Sequence, residues 1–427
     1  MSAGVELCKF GAPPYAVSFL GTSQFVAVAG GGGAAKTGVQ NLITIYKLEP
    51  TAGRDTIDGG DLSKSAVRLT QTFSFKTDPF ATMSLDVGLY PDDDDGVRSE
   101  ENYLLACSHG DGTTLYRLQR SVVAPAAGDV AANHLLDNFG GFQSEKLKSI
   151  RTDFHPKDAA QKVVRVDPQG SRFFVAAGSD GVIRQVEIYS RWSTLWEVEA
   201  HKGRLFDLSV SLDGELVLST APDHCSIWRR RDGAKRTVVT LPGAFATSHR
   251  VKFAQFTALG RSNYVFVAAL IPQQMRGSKR CTCFMALLGY DDKQNKCFVL
   301  TPPVEAGTEI FSTLSVSDCG NFCAAGTLDG GVAIFNTHNM RTCKRVVGAH
   351  AGSTTAVAFV PMTAKSGNDL PPIRMFVRRV RCAVLSVGFD SSVKLHAVER
   401  RSGGVSYFVF ALGSFAVFYL LFWLMGL

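Results

Sequence analysis

Residues 25–46 read FVAVAGGGGAAKTGVQNLITIY, and the stretch Gly30, Gly31, Gly32, Gly33, Ala34, Ala35, Lys36, Thr37 is the place where residue types and spacing come nearest to chemistry. A glycine run followed by Lys and Thr nearly matches the phosphate-cradling loop G-x-x-x-x-G-K-[ST]. Two departures argue against that use. Ala35 stands where the second glycine must be, and the following LITIYKL is β-branched and alternating, whereas a phosphate loop must open a helix whose N-terminus holds the anion. What remains is a connection of about ten residues where a plain hairpin needs two to five. Glycine permits close approach of a backbone or an ion, and four in a row lose much chain entropy on ordering. The shape or contact of this loop is therefore the feature to explain, the alternative being a surface loop without a role.

Elsewhere the chemical signals are thin. No Ser-His-Asp set, paired carboxylates or metal cluster is recoverable from spacing. Cys281-x-Cys283 and Cys319…Cys323 lie in strand-like runs without a partner pair at zinc spacing and read as ordinary buried thiols. The acid run Asp92–Asp95 reads as a solvated loop.

The elements that must position the loop are repeats. One unit recurs: an apolar strand ending in small residues, a turn with Asp and Gly, then a second strand. It occurs at 25–46, 103–118, 173–188, 216–230, 264–290, 322–337 and 383–398, which makes seven. Upstream partner strands precede several of them, at 163–173, 205–217, 311–322 and 355–362. His201 and His350 stand ahead of two units, and Trp228 lies in SIW. This resembles the WD-repeat pattern in degenerate form, since Arg229 replaces the aspartate after the tryptophan. The expected fold is all-β: a seven-bladed WD-repeat-like β-propeller over residues 1–400. Stretches 51–66, 91–101, 124–160 and 363–372 read as insertions on outer loops. Asp180, Asp213, Asp223, Asp318, Asp329 and Asp390 read as turn residues satisfying local backbone donors, and the two histidines as structural hydrogen-bonding groups. The N-terminal 5–20 has no upstream partner and is expected to supply strands that close the ring against the last blade, since closure removes sheet edges.

With 427 residues, 45% hydrophobic, the chain can bury a large core, and its net charge of +7 is a mild excess without a basic groove, so nucleic acid is not an expected partner. The N-terminus has no apolar signal segment. Residues 406–427 carry no charge and hold twelve Leu, Val or Phe. As a helix they span roughly 33 Å, enough for one C-terminal transmembrane helix. Arg400 and Arg401, at the edge of a short basic linker (401–405), predict a cytosolic propeller on a tail anchor, with the cysteines in a reducing compartment.

The string Gly30 to Gly33, Ala34, Ala35, Lys36, Thr37, Gly38 and Asn41, after a first-blade strand on a propeller with a C-terminal span, resembles the Sec-twelve / prolactin regulatory element-binding protein family, the endoplasmic-reticulum guanine nucleotide exchange factors of the COPII pathway. That resemblance implies release of GDP from a small Sar-type GTPase at the endoplasmic-reticulum membrane, by binding rather than covalent catalysis and without a small-molecule substrate. It implies that the glycine loop, called the K loop in that family, is ordered by potassium through backbone carbonyls and meets the GTPase. By position, Ala34 to Val39 form the expected contact tip, with Val39 as an apolar probe, and Asn41 either fixes the loop base or ligates the ion. The alternative is a membrane-tethered scaffold without exchange activity.

Overall fold

The computed structural model describes residues 4–34, 38–50, 67–90, 102–120, 141–189, 191–259, 264–274, 282–361 and 380–399. They build seven four-stranded antiparallel sheets, the blades of a β-propeller. The first blade is β2 (Pro14–Phe19), β3 (Phe25–Gly30), β4 (Leu42–Pro50) and β5 (Val67–Lys76). The second is β6 (Leu85–Leu89), β7 (Asn102–His109), β8 (Gly112–Arg120) and β9 (Phe142–Arg151), and the third β10 (Gln161–Val166), β11 (Phe173–Gly178), β12 (Val182–Glu187) and β13 (Thr194–Glu199). The fourth is β14 (Asp207–Val210), β15 (Leu216–Thr220), β16 (Cys225–Arg229) and β17 (Lys235–Val238). After a one-turn helix α1 (Phe245–Ser248) comes the fifth: β18 (His249–Thr257), β19 (Tyr264–Pro272), β20 (Cys283–Asp291) and β21 (Lys296–Gly307). The sixth is β22 (Phe311–Val316), β23 (Phe322–Thr327), β24 (Val332–Asn336) and β25 (Thr342–Val346). The seventh takes β26 (Thr354–Phe359), β27 (Val380–Gly388) and β28 (Ser392–Glu399) from the C-terminal side and β1 (Val5–Lys9) from the N-terminal side.

That last pairing closes the ring. Val5 stands opposite Leu395, and Lys9 opposite Ser392. The expectation for 5–20 holds for its first half only: Pro14–Phe19 is the inner strand of the first blade, and the Thr355 hydroxyl of β26 donates to its Pro14 carbonyl at 2.6 Å. One core cluster spans this seam, with Val17, Phe19, Val26 and Val28 packed with Leu385, Val387, Val393 and Leu395.

The seven repeat units read from sequence are the two middle strands of each blade. These second strands are bounded by strands on both edges and by neighbouring blades on both faces, so they run apolar and small throughout; β3, β11 and β23 are buried at every position. Outer strands are different. β9, FQSEKLKSIR, is largely exposed, and it lies inside the stretch 124–160 that reads as an insertion, so that expectation is corrected. The stretches 51–66 and 91–101, the stretch 363–372, the basic linker 401–405 and the span 406–427 lie outside the described residues. Among the described residues, no helix is long and apolar enough to cross a membrane.

Candidate functional site

The glycine loop joins β3 to β4. Its base is set by Gly30, which pairs with Leu42, and by Gly31, whose N–H donates to the Pro13 carbonyl at 3.1 Å. A Cβ on Gly30 would meet Pro13 O and lie 2.6 Å from Pro14 Cα; on Gly31 it would meet Asn41 Oδ1 and lie 2.6 Å from Asn41 Cα. Gly31, Gly33 and Gly38 also hold φ values of 145°, 75° and 77°, a region that residues with a Cβ avoid. The run of glycine is therefore sterically required at its start and conformationally required further on.

Asn41 is the keystone. Its side chain is buried, 2% exposed, and four hydrogen bonds converge on it. Oδ1 accepts from the Gly33 N–H at 2.9 Å, and Nδ2 donates to Gly33 O at 3.1 Å, so amide and backbone pair reciprocally across the loop. The Gly33 N–H fixes which end of the amide faces the loop. Nδ2 also reaches Asp78 Oδ1 at 3.0 Å and Pro79 O at 3.1 Å, and the Asn41 carbonyl accepts from Thr77 N–H at 3.0 Å. The Asn41 amide thus ties the loop base to the turn after β5. The turn Thr77–Asp78–Pro79 after β5 was not foreseen as part of the site.

Above this base Ala34, Gly38, Val39 and Gln40 are exposed, Val39 at 38%. Ala35, Lys36 and Thr37 lie outside the described residues. The chain leaves the loop as strand β4 rather than a helix, which removes the phosphate-loop reading.

Three oxygens (Gly33 O, Asp78 Oδ1 and Pro79 O) converge on Asn41 Nδ2, which has only two hydrogens to give. Backbone carbonyls and a carboxylate are the class of oxygen donor that a hard monovalent cation takes, but here all three oxygens are turned to the Asn41 amide nitrogen.

The fourth blade holds a second polar constellation. The Asp223 carboxylate lies 2.8 Å from His201 Nδ1, Ser219 Oγ lies 2.8 Å from His201 Nε2, and Trp228 Nε1–H donates to the same Oγ at 2.8 Å. This is the Ser-His-Asp order that spacing did not reveal. Ser219 is fully buried and its oxygen is already engaged by the indole, so the set ties β15 and β16 to the loop before β14 instead of attacking a substrate. The seventh blade repeats it. His350 contacts Asp390 at 3.0 Å and Ser386 at 2.8 Å, and His396 takes the tryptophan's place on Ser386 at 2.8 Å. Burial lowers the pKa of His201 and His350 and pushes that of His396 down to about 3. Both histidines are thus structural, as the sequence reading has them. Each of the six turn aspartates accepts a nearby backbone N–H: Val182 to Asp180, Glu215 to Asp213, His224 to Asp223, Cys319 to Asp318, Gly331 to Asp329 and Ser392 to Asp390. Cys283 and Cys323 are buried free thiols, Cys319 is half-buried, and Cys281 lies outside the described residues.

No protein-family model matches the chain. The mouse protein described as guanine nucleotide-exchange factor SEC12 is 27% identical over 417 residues, covering 93% of this chain and 91% of the relative. The rat protein of the same description is 27% identical over 428 residues with the same coverage. The chain resembles the SEC12 exchange factors. An Arabidopsis SEC12-like protein 2 is 26% identical over 272 residues, 62% of this chain and 57% of its own. The likeness to SEC12 runs through nearly the whole chain, and it supports a guanine nucleotide-exchange role.

Proposed function

We propose that this chain is a guanine nucleotide exchange factor for a small Sar-type GTPase, acting at the endoplasmic-reticulum membrane to start COPII coat assembly. The observation that carries the reading is the glycine loop held at its base by Asn41, on a propeller similar over 93% of its length to SEC12. Exchange needs no covalent step. It needs a surface that binds the nucleotide-free GTPase more tightly than the GDP-bound form, because a ligand shifts an equilibrium only by its differential affinity. A loop buttressed before the partner arrives loses less entropy on binding. In this reading Gly30 to Gly33 and Asn41 form the base, Ala34 to Val39 with Lys36 and Thr37 form the contact tip, and Val39 enters an apolar site on the GTPase.

Potassium is part of the proposal. Gly33, Asp78 and Pro79 are the residues whose oxygens would hold it, and its charge would offset the Asp78 carboxylate and help order the loop. Residues 406–427 would anchor the propeller to the membrane on which the GTPase acts, their modest length suiting a thin bilayer.

The test uses the full chain and a Sar-type GTPase loaded with fluorescent GDP, followed in potassium and then in lithium. Acceleration that weakens in lithium supports the whole reading. Acceleration indifferent to the cation keeps exchange and removes the ion. No acceleration by a folded chain leaves a membrane-tethered scaffold.

A further inference from the structure

The seven inner strands surround a channel of roughly 400 Å³. Antiparallel order puts the entry ends of those strands on the same face as the β3–β4 loop. Pro13 and Pro14, which carry the loop base, lead directly into Tyr15 on the channel wall. Around the third to fifth blades this mouth is basic and aromatic. Lys162 and Phe206 line it, Arg204 lies close enough to oppose the Lys162 charge, and the Arg250 guanidinium sits 5.8 Å from the Phe206 ring.

The cations are not consumed locally. Among the described residues, no hydrogen bond or ion pair engages the Lys162 ammonium or the Arg204 guanidinium, and Arg250 Nε is buried without a partner. The nearby carboxylates are also held by other donors, although Asp153 attracts the Lys162 charge from a distance. Asp153 accepts from the N–H groups of His155, Ser179 and Asp180. Asp207 is bound by Arg165 at 2.8 Å, and Asp86 accepts from Val166 N–H. Burial and the neighbouring Arg204 lower the Lys162 pKa, so a half-buried ammonium is held there at a disadvantage that an incoming anion would relieve.

We infer that the channel mouth between Lys162, Arg204 and Arg250 is a socket for an acidic segment of the protein partner that the glycine loop engages. The inference rests on the exchange-factor reading for the identity of that partner. Carboxylates fit better than a flat anionic surface because the cations border one side of a concave channel, and aromatic faces beside them suit the stems of acidic side chains. The contact would add an ionic-strength-dependent step to association.

The test is fluorescence anisotropy of fluorescein-labelled hexaglutamate with the full chain, with a DNA duplex and phosphatidylserine vesicles as parallel probes. The expected result is hexaglutamate binding that weakens with salt, drops about tenfold or more in the Lys162→Glu, Arg204→Glu double variant, and is displaced by nucleotide-free GTPase. The milder Lys162→Gln variant, checked by thermal melting, guards against a folding artefact and should give a smaller loss. Absence of hexaglutamate binding overturns the socket, as does equal dependence of DNA or vesicle binding on the same two residues. Normal GTPase binding and exchange by the double variant also overturns the socket while leaving the exchange reading intact. Conversely, Asn41→Ala should lose exchange and keep hexaglutamate. A wild-type chain that binds hexaglutamate but does not bind the GTPase overturns the exchange reading and, with it, the assignment of the basic socket to that partner.

Discussion

Asn41 shows how one buried amide can set the shape of a loop with little side chain of its own. Its two ends satisfy both backbone groups of Gly33, and its carbonyl holds the Thr77–Pro79 turn. Asn41→Ala strips the part-buried Gly33 N–H and C=O of their side-chain partner while the backbone bond to Thr77 remains, at up to about 1–3 kcal/mol for each group stranded. The expected outcome is a melting midpoint a few degrees lower and GDP release slowed by about tenfold or more, read by calorimetry and by the fluorescent-GDP assay. Gly31→Ala is expected to act in the same direction, because its Cβ would press on Asn41 and through it on the Thr77–Pro79 turn. The two residues were unequally legible. The glycines announce themselves by their number, and Asn41 by closing the string. Asp78 gave no signal, since it lies 37 positions from Asn41 and only the β4–β5 pairing brings them together. The Ser219–His201–Asp223 set was hidden for the same reason. Ser219→Ala should lower stability by roughly 1–3 kcal/mol and leave exchange per folded molecule unchanged, with denaturant melts set against the GDP assay as the check.

At the scale of elements, the repeats were readable where burial is most demanding. A strand with neighbours on all sides must be apolar and small, and that is what exposed the middle pair of every blade, down to β3 and β23. Strands at the rim carry no such demand. β9 is charged and mostly exposed, and nothing in FQSEKLKSIR separates it from a loop. The N-terminal strand was legible only by subtraction, as an unpaired run at one end. Its role as the fourth strand of the seventh blade has a direct consequence. Removing residues 1–9 would bare the edge of β28 and open the seam packed by Leu385, Val393 and Leu395. The midpoint of unfolding should fall by roughly 5 °C or more and aggregation should rise, measured by calorimetry and light scattering.

For the whole molecule, buried histidines set the acid response. Burial pushes His109 down to about 4 and His396 to about 3, and it lowers His201 and His350 as well. The unfolded chain binds these protons near pH 6.5, well before the folded chain does. Between about pH 4 and 6.5 the unfolded state therefore holds more protons, and stability falls as pH falls through that window. Depressed Asp223 and Asp390 extend the loss below it, whereas buried Asp86 and Asp207, raised by desolvation, work in the opposite sense. Melting midpoints should be level from pH 7 to 8 and drop steadily from 6.5 to 4, and a flat profile across that interval would refute the assignment of neutral buried histidines.

The proposed exchange activity rests on the glycine loop, its Asn41 base and the propeller that carries them. The measurement that tests it is the rate of fluorescent GDP release from a Sar-type GTPase, with the full chain, with its Asn41→Ala variant and with neither. The account predicts clear acceleration by the wild-type chain and most of that acceleration lost in the variant. Release at the intrinsic rate with a folded wild-type chain, or undiminished acceleration by Asn41→Ala, would contradict it.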